Sequence, residues 1–167
     1  QGLEGAEGDV LSLQAEYGLN FLIHNYFPPA MENFVMNIAS KDADIKNSTI
    51  SQIDKAVALT KRCGGDLYTV HPGYNRSLLR EKNGRFYEDL NSKNGHAQES
   101  TKEDFYRIID FLSSHHEGNG VRIGIENFFP YFENLRMFLD NAEDIFEFLD
   151  RYRASHGIGL LLDFGHI

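Results

Sequence analysis

The sequence contains very little cysteine, and this scarcity narrows the possible classes of protein. Cys63 is the only cysteine among 167 residues, which excludes a disulfide framework within the chain and a zinc site built from several cysteines. No apolar run approaches the roughly 18 residues that a membrane span needs, which argues against a transmembrane protein. The first ten residues, QGLEGAEGDV, are acidic and glycine-rich, unlike a signal peptide. We therefore expect a soluble protein of a reducing compartment, the cytoplasm.

Basic residues are also scarce. The chain has 16 lysines and arginines against 25 aspartates and glutamates, which gives a formal net charge of -9. A surface this acidic repels phosphate backbones, so we expect no nucleic-acid partner. The sequence also lacks a Walker A loop, a GxGxxG motif and a GxSxG motif. Nucleotide-binding and serine-hydrolase functions therefore have no support from motifs.

The composition is otherwise that of a globular protein. Hydrophobic residues make up 41% of the chain and charged residues 25%, which argues against disorder. This length suffices for one domain with its own core and is too short for two well-developed ones. No linker or internal repeat is visible, so the sequence predicts a single domain over residues 1–167.

Four short apolar runs are typical of buried strands. They are rich in Leu, Ile, Val and aromatic residues and lack a clean alternation of polar and apolar positions, as in a parallel sheet covered on both faces. The predicted strands are residues 19–24, 66–71, 121–127 and 158–163.

Helical patterns lie between these strands, where apolar residues recur at spacings of three and four. The predicted helix starts are a capping box of Thr49 with Gln52, a second box of Ser100 with Glu103, and an N-cap at Asn141. Residues 9–17 form a weaker helix candidate. Alternating strands and helices predict an α/β fold with a parallel sheet, open or closed into a barrel. The polar stretches 40–48 and 72–99 are predicted as connections at the carboxyl ends of the strands, where we expect the chemistry.

Five ionisable residues lie at or just after the predicted strand ends: His24, His71, Glu126, Asp163 and His166. Because the carboxyl ends of parallel strands share one rim, these side chains are expected to converge. Imidazole nitrogens and carboxylate oxygens together suit a divalent cation. Such a cation would also offset the cost of burying two carboxylates.

Each of these residues also has a purely structural interpretation. A histidine at a strand end is commonly hydrogen-bonded for structural reasons, and Asp163 could cap a following helix, although the sequence predicts no helix after it. Elsewhere, the His115-His116 pair and His96 are expected to be solvated, and Cys63 is expected to be a small packing residue. The aromatic stretch 127–138 (NFFPYFENLRMF) could line a substrate pocket or form a packed loop.

The strand-end motifs resemble those of the xylose-isomerase-like TIM barrels. This superfamily includes sugar and sugar-phosphate isomerases and epimerases, together with the endonuclease IV type of apurinic-site nucleases. The matching motifs, in family order, are HNYFPP at residues 24–29, HPG at 71–73, ENF at 126–128 and LDFGH at 162–166. They extend over nearly the whole chain.

The resemblance implies roles for particular residues. Glu126 matches a metal ligand that is also a catalytic acid or base, and Asp163 matches a second ligand. His166 matches a residue that contacts substrate or metal. His24 and His71 match pocket residues of isomerases and zinc ligands of the nucleases. Asn127 is assigned to substrate binding, beside Glu126. The implied cofactor is a divalent metal (Mn, Mg, Zn or Co), and the implied partner is a small sugar or sugar phosphate.

The chain also departs from this family. A complete barrel has eight strands and typically about 250 residues, whereas this sequence matches the second to fifth strands and lacks the later residues that complete the family's metal site. We therefore expect a partial (β/α)8 barrel cut from a longer gene product. The expected parent is a metal-dependent sugar or sugar-phosphate isomerase or epimerase that transfers a proton next to a carbonyl.

Two other functions remain open. His24 and His71 favour a zinc-dependent abasic-site nuclease, while the net charge of -9 disfavours it. A non-catalytic half-barrel is the third possibility, and its exposed sheet edges would favour self-association into a homo-oligomer.

Overall fold

The computed structural model describes residues 3–30, 34–76, 78–80, 86–88, 100–129 and 137–166. The helices and strands follow in chain order as α1 (Leu3–Tyr17), β1 (Ile23–His24), α2 (Ala43–Arg62), β2 (Leu67–Val70), β3 (Leu78–Arg80), β4 (Phe86–Glu88), α3 (Lys102–His115), β5 (Arg122–Glu126), α4 (Ala142–Arg151) and β6 (Ile158–Leu161), with a 3₁₀ turn at Phe164–His166. Among the described helices, none has the length and apolar character needed to cross a membrane.

Four strands form a parallel sheet in the order β1, β2, β5, β6. The register pairs Tyr68 with Ile23 on one side and with Ile123 on the other. This sheet confirms the predicted α/β fold with four parallel strands that alternate with helices. Because all four strands run in the same direction, their carboxyl ends lie on one rim, as expected for a site that draws on several strands.

The core lies between this sheet and the helices that cover it. Tyr68 and Ile123 on the sheet are fully buried, as are Ile53 of α2, Ile109 of α3 and Phe148 of α4. Each such side chain contributes about 1.5–3 kcal/mol through its removal from water. This packing makes a rigid base for the residues at the rim.

The α2 helix begins earlier than predicted. Its N-cap is Asp42, whose carboxylate accepts hydrogen bonds from the backbone of Asp44 and Ile45. Thr49, the predicted cap, lies inside the helix and is buried, and its hydroxyl donates to the Ile45 carbonyl at 2.7 Å. The predicted loop over residues 40–48 is therefore wrong from residue 43 onward. The first turns of α2 carry few apolar residues, so the periodic pattern starts late.

The other helix starts are closer to the prediction. A capping box of Thr101 with Asp104 starts α3, one residue after the predicted box at Ser100. Asn141 caps α4 as predicted, and its side chain accepts from the Asp144 backbone at 3.0 Å. The α1 helix is longer than the predicted segment 9–17.

Two features of the strands differ from the prediction. β1 has two residues rather than six, and Leu22 just before it is 56% exposed. Within the described sheet, β1 pairs with β2 alone. The connection predicted over residues 72–99 contains an antiparallel hairpin of β3 and β4. These strands have three residues each, which is too short for a recognisable apolar run.

The chain turns sharply after His71. Gly73 has a φ of 88°, and a Cβ atom there would lie 2.6 Å from Oδ1 of Asn37. Asn37 is buried and accepts from the Tyr74 backbone at 3.0 Å while its amide donates back to the Tyr74 carbonyl at 3.0 Å. This close approach explains the glycine of the HPG motif and holds the segment that carries His71.

Candidate functional site

The rim of the sheet brings three predicted site histidines around one carboxylate. The Oε2 atom of Glu126, at the end of β5, lies 3.6 Å from Nε2 of His24 and 3.6 Å from Nε2 of His71. The Oε1 atom lies 3.5 Å from Nδ1 of His166. Each oxygen of Glu126 therefore faces a different part of the site.

Glu126 is a buried carboxylate. It is 4% exposed, and its Oε2 atom has no hydrogen-bond partner within the described part of the chain. Burial raises the pKa of Glu126, the nearby Asp163 raises it further, and His166 opposes this shift. An orphaned carboxylate oxygen is costly unless a cation or a hydrogen-bond donor compensates for it. The donor set therefore fits a divalent cation.

Burial favours the uncharged state of His24 and His71. Burial, followed by the nearby His24 and His166, lowers the pKa of His71 to about 4. Burial also lowers the pKa of His24, against the opposing effect of Asp163. Neutral imidazole is the form that binds a metal or accepts a hydrogen bond from a substrate hydroxyl.

A second set of contacts orients these two rings. Nδ1 of His24 lies 2.9 Å from the Thr69 hydroxyl oxygen, and Nδ1 of His71 lies 3.2 Å from Nδ2 of Asn25. The two ring centroids are 5.2 Å apart. Such contacts at Nδ1 leave Nε2 of each ring directed at Glu126. The Oδ1 atom of Asn25 has no hydrogen-bond partner within the described residues, so no second contact fixes its amide and either tautomer of His71 fits this site.

The fourth strand contributes Asp163. Its Oδ1 atom accepts from the Gly165 backbone at 2.6 Å, so Asp163 does cap the short 3₁₀ turn that follows. Its Oδ2 atom lies 3.8 Å from Nε2 of His166, and the Asp163 side chain is 45% exposed. Oδ1 of Asp163 thus makes a structural contact, and Oδ2 faces the candidate site.

The aromatic stretch 127–138 is divided between the site and the core. The Phe128 ring lies 4.9 Å from that of His71 and 4.6 Å from that of His166. In contrast, Phe138 stacks on Phe105 at 4.8 Å in the core. Phe138 is therefore packed in the core and Phe128 lies at the candidate site, while residues 130–136 lie outside the described residues.

Two overlapping groups of side chains could hold a metal ion. One comprises His24, His71 and Glu126, and the other comprises Glu126, Asp163 and His166. Within each group the ligand atoms lie within 4.8 Å of one another. The structure thus brings together the three residues that the resemblance assigns to a metal, Glu126, Asp163 and His166.

A third cluster was missed by the sequence reasoning. His115 and His116 place their Nε2 atoms 3.2 Å and 3.1 Å from Oδ1 of Asp54 on α2. His116 is 8% exposed, so the prediction that it is solvated is wrong, whereas His115 is exposed as expected. His96 lies outside the described residues, and Cys63 is buried, as predicted for a packing residue. No sequence signal relates Asp54 to this histidine pair, because the helix packing alone brings them together.

The hydrogen bonds of His116 argue against a metal at this cluster. The Oδ1 atom of Asn119 accepts from the Val121 backbone at 2.8 Å, so its amide nitrogen is the atom that faces Nδ1 of His116 at 3.0 Å. Nδ1 is therefore an acceptor, and the proton of neutral His116 resides on Nε2, the atom that a metal would need. We interpret the cluster as a contact between α2 and α3.

Comparisons with known proteins agree with this architecture. The family model described as xylose isomerase-like TIM barrel matches residues 5–167. A D-tagatose 3-epimerase-like protein superimposes with a TM-score of 0.63 at 19% identity, covering 96% of this chain and 51% of that one. The 3-keto-D-glucoside 4-epimerase from E. coli superimposes with a TM-score of 0.65 at 13% identity, covering 98% of this chain and 56% of that one.

The chain thus spans about half the length of the solved structures that it matches. No curated protein matches it. At these identities the solved structures establish the fold, and the family model covers nearly all of the sequence. The predicted resemblance is confirmed: the chain belongs to the xylose isomerase-like TIM barrel family.

Proposed function

We propose that the whole protein is a metal-dependent isomerase or epimerase of a sugar or sugar phosphate. The observation that carries the proposal is the buried carboxylate of Glu126, whose ligand atom lies within 4.8 Å of those of Asp163 and His166 on the rim of the sheet. Sugar epimerases among the structural neighbours support the same class of substrate. Because this chain spans about half of those structures, the activity is proposed for the full-length protein, with residues 1–167 as one partial barrel domain.

Glu126, Asp163 and His166 are the residues that would hold the cation, which would be Mn, Mg, Zn or Co. Two carboxylates and one imidazole are a donor set that suits any of these ions. When bound, a divalent cation polarises carbonyl and hydroxyl oxygens of the substrate.

Glu126 is the proposed catalytic base and acid. It takes up the proton from the carbon next to the substrate carbonyl and returns a proton to complete the isomerisation. A general acid–base group works best when its pKa lies close to the working pH. Burial is the main cause of the raised pKa of Glu126, and this shift brings the pKa closer to a neutral working pH.

The histidines and Phe128 are proposed to shape the substrate pocket. His24 and His71 present neutral Nε2 atoms, which can hydrogen-bond to sugar hydroxyls. Phe128 packs against the rings of His71 and His166 and limits the access of water to the carboxylate. The net charge of -9 favours a sugar over a polyanion, and a single cysteine suits a reducing compartment such as the cytoplasm.

The test is metal analysis and activity of the full-length protein. We expect a bound divalent metal, interconversion of aldose and ketose or of epimers, and exchange of the substrate's α-proton with D₂O. Removal of the metal with a chelator is expected to abolish all three, and its return is expected to restore them. Full activity in a protein shown to be free of metal would contradict the proposal.

A zinc-dependent abasic-site nuclease is the second candidate. The observation that favours it is the second ligand group, in which His24 and His71 share one oxygen of Glu126 at 3.6 Å each. The test is cleavage of a duplex containing a single abasic site in the presence of Zn²⁺, together with DNA binding at low salt. Absence of any association at low salt removes this candidate, because phosphate contacts are strongest there.

A further inference from the structure

Asn127 follows the catalytic candidate Glu126 in the chain, but its side chain is used within the protein. It is 1% exposed. Its Oδ1 atom accepts from the Asp163 backbone N–H at 2.6 Å, and its Nδ2 atom donates to the Asp163 carbonyl at 3.1 Å. The amide therefore ties the end of β5 to the end of β6, and little of its surface is left for a substrate.

The backbone of Asn127 makes a second pair of contacts with the same region. Its N–H donates to the Leu161 carbonyl at 3.1 Å. Its carbonyl oxygen lies 2.9 Å from Nδ1 of His166. A carbonyl oxygen can only accept, so the proton of neutral His166 must reside on Nδ1. The Nε2 atom then carries the lone pair, on the side of the ring that faces Oδ2 of Asp163 at 3.8 Å.

We propose that Asn127 is a positioning residue that holds Asp163 and His166 in register with Glu126 and fixes His166 as its Nδ1–H tautomer. This role replaces the direct substrate binding predicted for Asn127 in the sequence analysis. The catalytic consequence rests on the proposed function, whereas the tautomer of His166 does not.

The chemistry of the carboxamide explains why asparagine suits this position. It offers one acceptor and one donor side by side, which match the N–H and the carbonyl of a single residue, Asp163. An aspartate would keep the acceptor but set a second carboxylate oxygen against the Asp163 carbonyl. A leucine would leave the N–H and the carbonyl of Asp163 without these partners, which destabilises the end of β6.

The direct test is ¹⁵N NMR of the full-length protein labelled at histidine. We expect His166 to show the Nδ1–H pattern in the wild type. In Asn127→Asp, repulsion from the Asp163 carbonyl displaces the 3₁₀ turn, so His166 loses its fixed acceptor and populates both tautomers. Asn127→Ser keeps an acceptor for the Asp163 N–H and serves as the milder variant if Asn127→Asp does not fold.

Asn119→Asp is the matched control. Asn119 also accepts from a backbone N–H and donates to a histidine, but it lies at the amino end of β5. This variant is expected to change the ¹⁵N pattern of His116 and to leave that of His166 unchanged. An Nε2–H pattern for His166 in the wild type overturns the proposal, as does an unchanged His166 in folded Asn127 variants.

Activity measurements separate this inference from the proposed function. We expect Asn127→Asp to lose about 10–100-fold in kcat or metal affinity, as for other residues that orient ligands, with a smaller change in KM. Asn119→Asp is expected to keep its kcat. If His166 changes tautomer but the wild type shows no isomerase or epimerase activity, the proposed function fails and the positioning role stands. If the wild type is active and the Asn127 variants keep both the tautomer and kcat, the positioning role fails instead.

Discussion

The Oε2 atom of Glu126 lies 3.6 Å from Nε2 of His71, and this contact is not an ordinary ion pair. Burial raises the pKa of Glu126 and lowers the pKa of His71 to about 4. The protein environment thus disfavours the charged form of each partner. Two such groups in contact are poorly suited to stabilise the fold and well suited to receive a cation or a polar substrate.

Replacement of the Glu126 carboxylate with an amide is expected to lower activity without lowering stability. In Glu126→Gln the volume is kept and the buried charge is removed, so the free energy of unfolding of the metal-free protein is not expected to fall. Activity of the full-length protein is expected to fall by about 10²–10⁴-fold, the usual contribution of a general acid–base group. Chemical denaturation and steady-state kinetics provide the two measurements. Glu143→Gln, at an exposed position in the first turn of α4, is the control and should leave activity unchanged, with a loss of at most about 1 kcal/mol in the free energy of unfolding.

Metal binding is expected to stabilise the fold. At a free metal concentration 100 times the dissociation constant, the expected gain is about 2.7 kcal/mol, visible as a rise in Tm of the chelator-treated protein. Asp163→Asn removes one proposed ligand charge while its side chain can still accept from Gly165, so it should reduce the rise without unfolding the protein. Asp150→Asn, on the exposed end of α4, is the control. An equal rise in Tm for Asp163→Asn and the wild type would show that Asp163 does not bind the metal.

The contribution of His71 to the stability of the metal-free protein is expected to fall as the pH drops from about 6.5 to about 4. His71 has a pKa of about 4 in the folded protein, against 6.5 when unperturbed, so within this range the unfolded chain binds a proton that the folded protein does not. The contribution of His71 to the free energy of unfolding is complete above pH 6.5 and is lost as the pH falls through 4. Its full size is on the order of 3 kcal/mol.

His71→Asn isolates this effect, because Glu126 has a raised pKa and its contribution therefore changes with pH in the opposite direction. The measurement is the free energy of unfolding across this pH range in the presence of a chelator. The variant should show a shallower dependence on pH than the wild type, whereas His156→Asn, at an exposed position, should not. Parallel curves for wild type and His71→Asn contradict the assignment.

A methyl group at Gly73 is expected to be far more damaging than one at another glycine with positive φ. Gly73→Ala places Cβ 2.6 Å from Oδ1 of Asn37, whereas Gly118, with a φ of 74°, has no atom within 4 Å of the added group. Gly118→Ala should cost about 1 kcal/mol for the backbone strain alone, and Gly73→Ala should cost at least about 2 kcal/mol more. Thermal and chemical unfolding check both values. Similar losses for the two variants would mean that the Asn37 contact adjusts freely.

Much of the fold could be predicted from local patterns. The three longer strands of the sheet lie within the predicted segments, and Asn141 caps α4 as expected. The start of α2 and the β3–β4 hairpin could not be predicted, because their sequences have too few periodic apolar residues. In both places backbone hydrogen bonds and contacts with distant residues stabilise a structure that local composition does not require.

The candidate site also combines features that the sequence predicts with features that it does not. The types of residue at the strand ends and their order along the chain follow from the sequence, because a parallel sheet must bring its carboxyl ends to one rim. The charge states of these residues do not follow from the sequence. Burial by distant parts of the chain holds His71 neutral and raises the pKa of Glu126, and the same burial makes His116 a packed residue.

The sequence by itself determined the α/β class, the family and the five ionisable residues at the rim, since apolar periodicity and strand-end motifs are local properties. The tertiary structure decided which atoms face one another. It divided the two oxygens of Glu126 between different partners, turned the amide of Asn127 toward Asp163 and placed the proton of His166 on Nδ1. Hydrogen-bond direction and desolvation depend on groups that are far apart in the chain, so these features emerge only when the strands have packed.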